Sequence, residues 1–379
     1  MRPVARRAIL PGAPELAVAS LPAEHWSDGL FTQLGKTLDG MVLAAMRRVI
    51  DATMMPSPAE LPAMRASAEV FLTGELQKNP QGYFAFSRRP QPTAAQGRYR
   101  RRLSGGLVVD RAFEISYRPH FPENGTQRVA ARSDRVLVQH WMHEPKRPKA
   151  TVLAVHGFSI GQPWIDAFAL FAAQWFQRGL DVALLTLPYH GARTPRDARF
   201  SGERFAAPRV NQLSEAVRQA IYEMRMVTDW LREQTPAPVG LLGLSLGGYL
   251  ASLMAGLYDD LDFVIPMVPP VCIGDLAWRF HSENRRRGGE AEVAFSHEQL
   301  RAAYRVHSPL THLLKVPKER VLIVAGRGDR IVPPEHPHAL WQHWGEPDIF
   351  WFSGSHLAPF RRRRIVAAIE RHLQRVGVL

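Results

Sequence analysis

The chain has 379 residues, 46% hydrophobic and 22% charged, with a formal charge of +13. That apolar content fills one elaborated domain or two and excludes disorder along the whole chain. The longest uninterrupted apolar run, residues 167–173, falls far short of the roughly 20 residues a membrane span needs, which excludes an integral membrane protein.

At the N-terminus, MRPVARRAILPGAPELAVAS sets basic residues before a short apolar patch. Pro11 and Pro14 interrupt any signal-peptide core of about 7–15 residues, so a cytoplasmic protein is expected. Across residues 28–55, Leu30, Phe31, Leu34, Leu38, Met41, Val42, Ala45, Met46, Val49 and Ile50 recur near the i, i+3, i+4 spacing of an amphipathic helix. This stripe is expected to pack on the core and not on a membrane. A Pro-, Gln- and Arg-rich stretch at 79–102 reads as loop or linker. Alternating segments near 107–110, 113–117 and 135–141 read as antiparallel strands. Together, residues 1–130 form an N-terminal extension of helix, linker and edge strands.

From residue 150 the pattern changes to short continuous apolar runs between helical stretches, the signature of buried parallel strands with crossover helices. The runs are TVLAVHG, DVALLTLP, VGLLGLS, DFVIPMV, RVLIVAG and DIFWFSG. Helices are predicted near 164–178, 211–233, 247–257 and 361–376. The fold class is α/β, a mostly parallel sheet with helices on both faces over residues 131–379. Residues 270–314 break the alternation and are predicted to form a helical cap over one end of the sheet.

Gly243-Leu244-Ser245-Leu246-Gly247 stands between the strand VGLL and the helical GYLASLMAGL. In that context G-x-S-x-G describes a nucleophile elbow, whose glycines allow a strained turn that pushes the serine hydroxyl out at the sheet edge. A serine at its ordinary pKa needs a base, and the base needs an orienting acid. Asp329 in GRGDRIVPP and His356 in SGSH follow the last two apolar runs, at strand ends where open α/β sheets place their sites. The competitors fit less well. Asp348 precedes a strand, Asp275 follows one less directly, and His307, His312, His336, His338 and His343 fall in connections. The oxyanion of an acyl-transfer intermediate needs N–H donors. Leu246 supplies one at a helix start and Phe158, in His156-Gly157-Phe158, the second; His156 itself is read as bracing that loop. The lone cysteine, Cys272, excludes an internal disulfide and a thiolate metal site. No H-E-x-x-H and no dinucleotide fingerprint occurs, so neither a metal nor another cofactor is implied.

HGF at 156–158, GLSLGG at 243–248, HSPL at 307–310, GRGDRIVP at 326–333 and GSH at 354–356 together resemble the α/β-hydrolase superfamily, over about residues 130–379. The resemblance implies a hydrolase with Ser245, Asp329 and His356 as its triad and Phe158 and Leu246 as oxyanion donors. LPYHGART at 187–194 occupies the segment where relatives carry a turn beside the site. His190 and Arg193 there hold the loop or touch substrate. An extension of about 130 residues is too short for the propeller of prolyl-oligopeptidase-like peptidases.

The expected substrate is a small-molecule ester, with Trp278 and Phe280 of the cap as candidate contacts for an apolar group. Thioester or peptide hydrolysis and acyl transfer share the same covalent intermediate. Only six of the 48 basic residues are lysines, so an arginine-biased composition accounts for much of the charge. Even so, Arg88 to Arg102, Arg285 to Arg287 and Arg361 to Arg364 form clusters, which raises an anionic-surface or nucleic-acid binder on a hydrolase scaffold as the alternative. With the catalytic set complete, no nucleic-acid partner is expected, while a homo-oligomer is allowed. Arg193, Arg327, Arg330 and Arg285 to Arg287 are the candidates for binding an anionic ester.

Overall fold

A computed structural model of the chain describes residue 16 and residues 21–22, 26–54, 58–86, 89–92, 94–120, 135–145, 147–206, 209–286 and 294–379. The basic N-terminal patch, Arg88 and Arg287 lie outside them. Helix α1 (Trp26–Met54) is followed by α2 (Leu61–Leu72) and a single turn, α3 (Glu75–Lys78). Then come the strands β1 (Ala94–Leu103), β2 (Gly106–Glu114) and β3 (Arg135–His143). The alternating part continues as β4 (Ala150–Val155), α4 (Pro163–Ala169), α5 (Ala172–Gln177), β5 (Leu180–Thr186), α6 (Val210–Gln234), β6 (Val239–Leu244), α7 (Leu246–Leu257) and β7 (Val264–Met267). Helices α8 (Ile273–Arg286) and α9 (His297–Ala303) precede β8 (Leu322–Gly326), α10 (Glu335–His343), β9 (Asp348–Phe352) and α11 (Arg362–Arg375).

The strands form one nine-stranded sheet in the order β1-β2-β3-β5-β4-β6-β7-β8-β9. The pairs from β1 to β3 and the β3–β5 pair are antiparallel, and every other pair is parallel. Strands β4, β5, β7 and β8 are buried throughout, because helices cover both faces. One face packs Met224, Leu250, Met254 and Leu340 with Phe71 of α2, and the other packs Trp175, Phe176, Ile365 and Ile369. Strand order reverses beside β4, where β5 leaves on one side and β6 on the other. The loops at the carboxyl ends of β4 and β6 therefore diverge from a common crevice, which is where such sheets gather their ligands.

Three predicted elements differ. The basic stretch within 79–102 is not all linker: Ala94–Leu103 is the antiparallel edge strand β1, and its row of exposed arginines suits an unpaired edge. The helix predicted over 164–178 is two helices, separated at Leu170 and at Phe171, whose φ is +58°. In α1 the expected orientation is reversed. Leu30, Leu34, Leu38 and Met41 are 44–64% exposed, whereas Thr32, Gly35, Asp39 and Leu43 are buried. The side chains of Ala45, Met46, Val49 and Ile50 lie outside the described residues. Among the described residues, no helix is long and apolar enough to cross a membrane.

Candidate active site

Strand β6 passes into α7 through Ser245, which sits at φ +54°, ψ −112°. A non-glycine residue in this region carries strain of about 1–3 kcal/mol that surrounding structure must hold. The Ser245 N–H donates to the Met267 carbonyl at 2.8 Å, and the Ser245 carbonyl accepts from Tyr249 N–H at 2.8 Å. A Cβ on Gly243 would collide with the Gly247 carbonyl, and one on Gly247 with the Val155 carbonyl. The two glycines are thus required by backbone approach, and the result is an Oγ raised off the sheet edge.

His356 follows β9 and brings Nε2 to 2.9 Å from Ser245 Oγ, while its Nδ1 lies 2.6 Å from Asp329 Oδ2. The other Asp329 oxygen accepts from Ile331 N–H at 2.9 Å and Val332 N–H at 2.7 Å. Both the imidazole and the carboxylate are buried. Burial pulls the His356 pKa down, but the adjacent Asp329 charge and hydrogen bond, with the nearby Asp39 charge, outweigh it and hold the group above its ordinary value. Burial, with a smaller push from the Asp39 charge, raises Asp329 above the usual carboxylate range, even though His356 and the Val332 N–H oppose the shift. The structure thus brings together the three residues predicted from three separate strand ends.

Leu246 is the first residue of α7, so its N–H has no intrahelical acceptor and points with the positive end of the helix dipole toward the elbow. The loop after β4 comes in against it: a Cβ on Gly157, the residue before Phe158, would stand 3.3 Å from Ser245 Cβ. His156 braces this loop, its Nδ1–H donating to the Gly157 carbonyl at 2.7 Å and its Nε2 accepting from Leu187 N–H at 3.0 Å. Burial pushes His156 down to about 4, keeping it neutral.

Of the other predicted contacts, Arg193, His190 and Trp278 have partners of their own within the fold. Arg193 is fully buried and grips Glu223 with two nitrogens at 2.6 and 2.7 Å, donating also to the Thr186 carbonyl at 2.9 Å. It holds the turn after β5 and is not placed to meet substrate. His190 is equally buried, donates from Nδ1 to the Pro188 carbonyl at 2.8 Å, and packs edge-on against His156, Phe158 and Phe205. It lines the back of the loop that follows β4. Trp278 stacks on His297 and lines a cleft of about 870 Å³ against α2 residues Arg65, Glu69 and Leu72. Ser245, Asp329 and His356 are not among the residues lining that cleft. Phe280 is half-buried on the same helix.

Several of the arginines have partners within the fold. Arg327 donates to the Pro22 carbonyl at 2.6 Å, and Arg361 and Arg364 pair with Asp28 at 2.8 and 2.9 Å. Arg362 lies over Phe168 and Phe171. Arg330 is exposed. The side chains of Arg285 and Arg286 lie outside the described residues. Two charged groups near the site escape sequence reasoning: Arg279, close enough to feel the Asp329 charge, and Asp39, which is buried against the His356 loop. An acid between Leu38 and Gly40 in an otherwise apolar repeat was the available signal for Asp39. Among the described residues, no group of three or more His, Cys, Asp or Glu side chains could hold a metal ion.

Residues 104–282 match the family described as "Alpha/beta hydrolase domain containing 18", and residues 198–368 match "Serine hydrolase (FSH1)". Two uncharacterized proteins of Mycobacterium tuberculosis are similar over most of the chain. MT2702 is 32% identical over 321 residues, 81% of this chain and 72% of its own. Rv2627c is 31% identical over 329 residues, 83% and 75%. Among solved structures, acetyl xylan esterase 1 from Thermoanaerobacterium sp. JW/SL YS485 superposes with a TM-score of 0.56 at 15% identity, covering 85% of this chain and 99% of that one. The acetyl xylan esterase from Paenibacillus sp. R4 gives 0.55 at 15% identity, covering 83% and 99%. These two likenesses are of fold. With the elbow, the strand order and these relatives taken together, the chain belongs to the α/β-hydrolase superfamily, in one family with the mycobacterial proteins MT2702 and Rv2627c.

Proposed function

We propose that the chain is a serine esterase acting on a small-molecule carboxylic ester through an acyl-enzyme on Ser245. The observation that carries this reading is the continuous relay from Ser245 Oγ to His356 Nε2 at 2.9 Å and from His356 Nδ1 to Asp329 at 2.6 Å. Ser245 Oγ attacks the ester carbonyl as His356 Nε2 takes its proton. The Asp329 carboxylate holds the Nδ1–H tautomer and stabilises the imidazolium that forms. The Phe158 and Leu246 N–H groups receive the tetrahedral oxyanion, each contributing roughly 3–4 kcal/mol to the transition state. Collapse expels the alcohol, protonated by His356. Water, deprotonated by the same imidazole, then attacks the acyl-serine and releases the acid.

Thioester, amide or acyl-transfer chemistry would pass through the same intermediate and differ in leaving group or acceptor. The binder alternative has less support, because the arginines at 361, 362 and 364 already have partners within the fold. The test is turnover of a p-nitrophenyl acyl series by wild type and Ser245→Ala, with thioester and anilide analogues alongside and salt varied. Ester turnover that disappears in Ser245→Ala and changes little with salt is expected. Absence of turnover on every analogue removes the proposal, and binding to nucleic acid that weakens steeply with salt supports the alternative.

A further inference from the structure

The buried face of α1 runs through Thr32, Gly35, Asp39 and Leu43, a helical repeat in which only the last residue is a large apolar one. It lies on the loops after β8 and β9, the two that carry Asp329 and His356. Asp39 is fully buried, and its carboxylate accepts four hydrogen bonds. Oδ2 takes the backbone N–H groups of Arg330 and His356, both at 3.0 Å. Oδ1 takes the Ser355 hydroxyl at 2.8 Å and Leu357 N–H at 3.2 Å. One side chain therefore ties the residue after Asp329 to the backbone of His356. The approach is close: a Cβ on Gly35 would stand 2.8 Å from Ser355 N.

A carboxylate sealed in this way is costly to desolvate, and here that cost is met by donors from the two loops, since an apolar side chain would leave three backbone N–H groups unpaired. Those donors come from both loops, so the carboxylate couples the position of one to the other. We propose that Asp39 is a positioning residue of the hydrolase site, fixing the loops of Asp329 and His356 against each other and setting a second buried negative charge beside the imidazole. The proposal rests on the serine-hydrolase reading above. It makes the N-terminal helix an integral part of the active site.

Asp329 on the β8 loop and Asp39 on α1 act on His356, and Arg330 beside Asp329 and Arg279 on α8 are the cations near these carboxylates. Of these, the carboxylates of Asp329 and Asp39 act directly to hold the imidazole proton. Replacing Asp39 by asparagine keeps the shape, removes the charge and turns a donor toward backbone N–H groups. Misplacement of a catalytic group by about 1 Å costs up to roughly 100-fold in rate. For Asp39→Asn in the full chain, with p-nitrophenyl acetate, kcat is therefore expected to fall by about 10- to 100-fold with KM little changed. The acidic limb of kcat/KM should also move to lower pH. A structural role alone would lower stability without moving that limb.

If Asp39→Asn does not accumulate folded, Gly35→Ala tests the same clamp with the charge kept. In it kcat should fall while the acidic limb stays in place, and an unchanged kcat in the folded variant overturns the proposal. If wild type turns over ester and labels at Ser245 while Asp39→Asn matches it in kcat and in limb position, only the role of Asp39 falls. If wild type itself neither turns over nor labels, the hydrolase reading falls first.

Discussion

Replacing Arg193 by methionine decides between a structural arginine and a substrate contact. Arg193 and Glu223 are both wholly enclosed, with paired contacts at 2.6 and 2.7 Å. The guanidinium also satisfies the Thr186 carbonyl at 2.9 Å. In Arg193→Met the Glu223 carboxylate keeps the neutral Gln219 amide at 2.9 Å but no cation. Breaking a buried pair from one side costs about 3–5 kcal/mol, because the remaining charge is stranded. The orphaned carbonyl adds about 1 kcal/mol or more. The expected total is about 4–6 kcal/mol, read by urea unfolding as the midpoint shift multiplied by the m-value. The double variant Arg193→Met/Glu223→Leu should recover most of the loss, since an apolar pair of similar volume removes both desolvation costs. A single variant that loses less than about 1 kcal/mol, while its KM rises only for anionic esters, would refute the structural assignment.

Other consequences are open to simpler measurements. Because His356 is held above its ordinary value by Asp329 and Asp39 despite burial, it is protonated and inactive at pH values where an ordinary histidine would already be free. The acidic limb of kcat/KM is therefore expected above pH 6.5, the unperturbed value, and Asp329→Asn should cost roughly 10⁴-fold in kcat; a limb below pH 6.5 contradicts the relay. Burial holds His156 and His336 down to about 4, and His307 to about 3. Their folded values lie below their unfolded ones, so the stability they protect is complete above pH 6.5 and falls as pH drops from there toward 4. The slope approaches about 1.4 kcal/mol per pH unit for each histidine, and a flat urea midpoint between pH 7 and 5 would contradict it. Trp278→Ala opens the cleft against α2 and should leave turnover of short esters unchanged, whereas a raised KM would place the indole at the substrate.

Much of the fold was legible because buried parallel strands write themselves as continuous apolar runs. All six runs from TVLAVHG to DIFWFSG are strands, and residues 211–233 and 247–257 fall in α6 and α7. Ser245, Asp329 and His356 were legible because each follows one of those runs, and the sheet brings strand ends together. What escaped detection was decided by partners far away in sequence. The α1 stripe of Leu30, Leu34, Leu38 and Met41 looked like a core face, yet Asp39 and Gly35 face inward because the loops after β8 and β9 supply hydrogen-bond donors and a close backbone. Arg193 looked available near the elbow, but its partner Glu223 is on α6. The edge strand β1 hid because an unpaired edge tolerates charges that resemble a linker.

The central claim is that Ser245 is the nucleophile activated by His356 and Asp329. Its most direct test is intact-mass measurement after exposure to a fluorophosphonate, followed by peptide mapping of the adduct. The account predicts one adduct per chain, on Ser245, absent in Ser245→Ala and strongly slowed in His356→Ala. A folded wild-type chain that takes up no adduct, or carries it on another residue, would contradict the account.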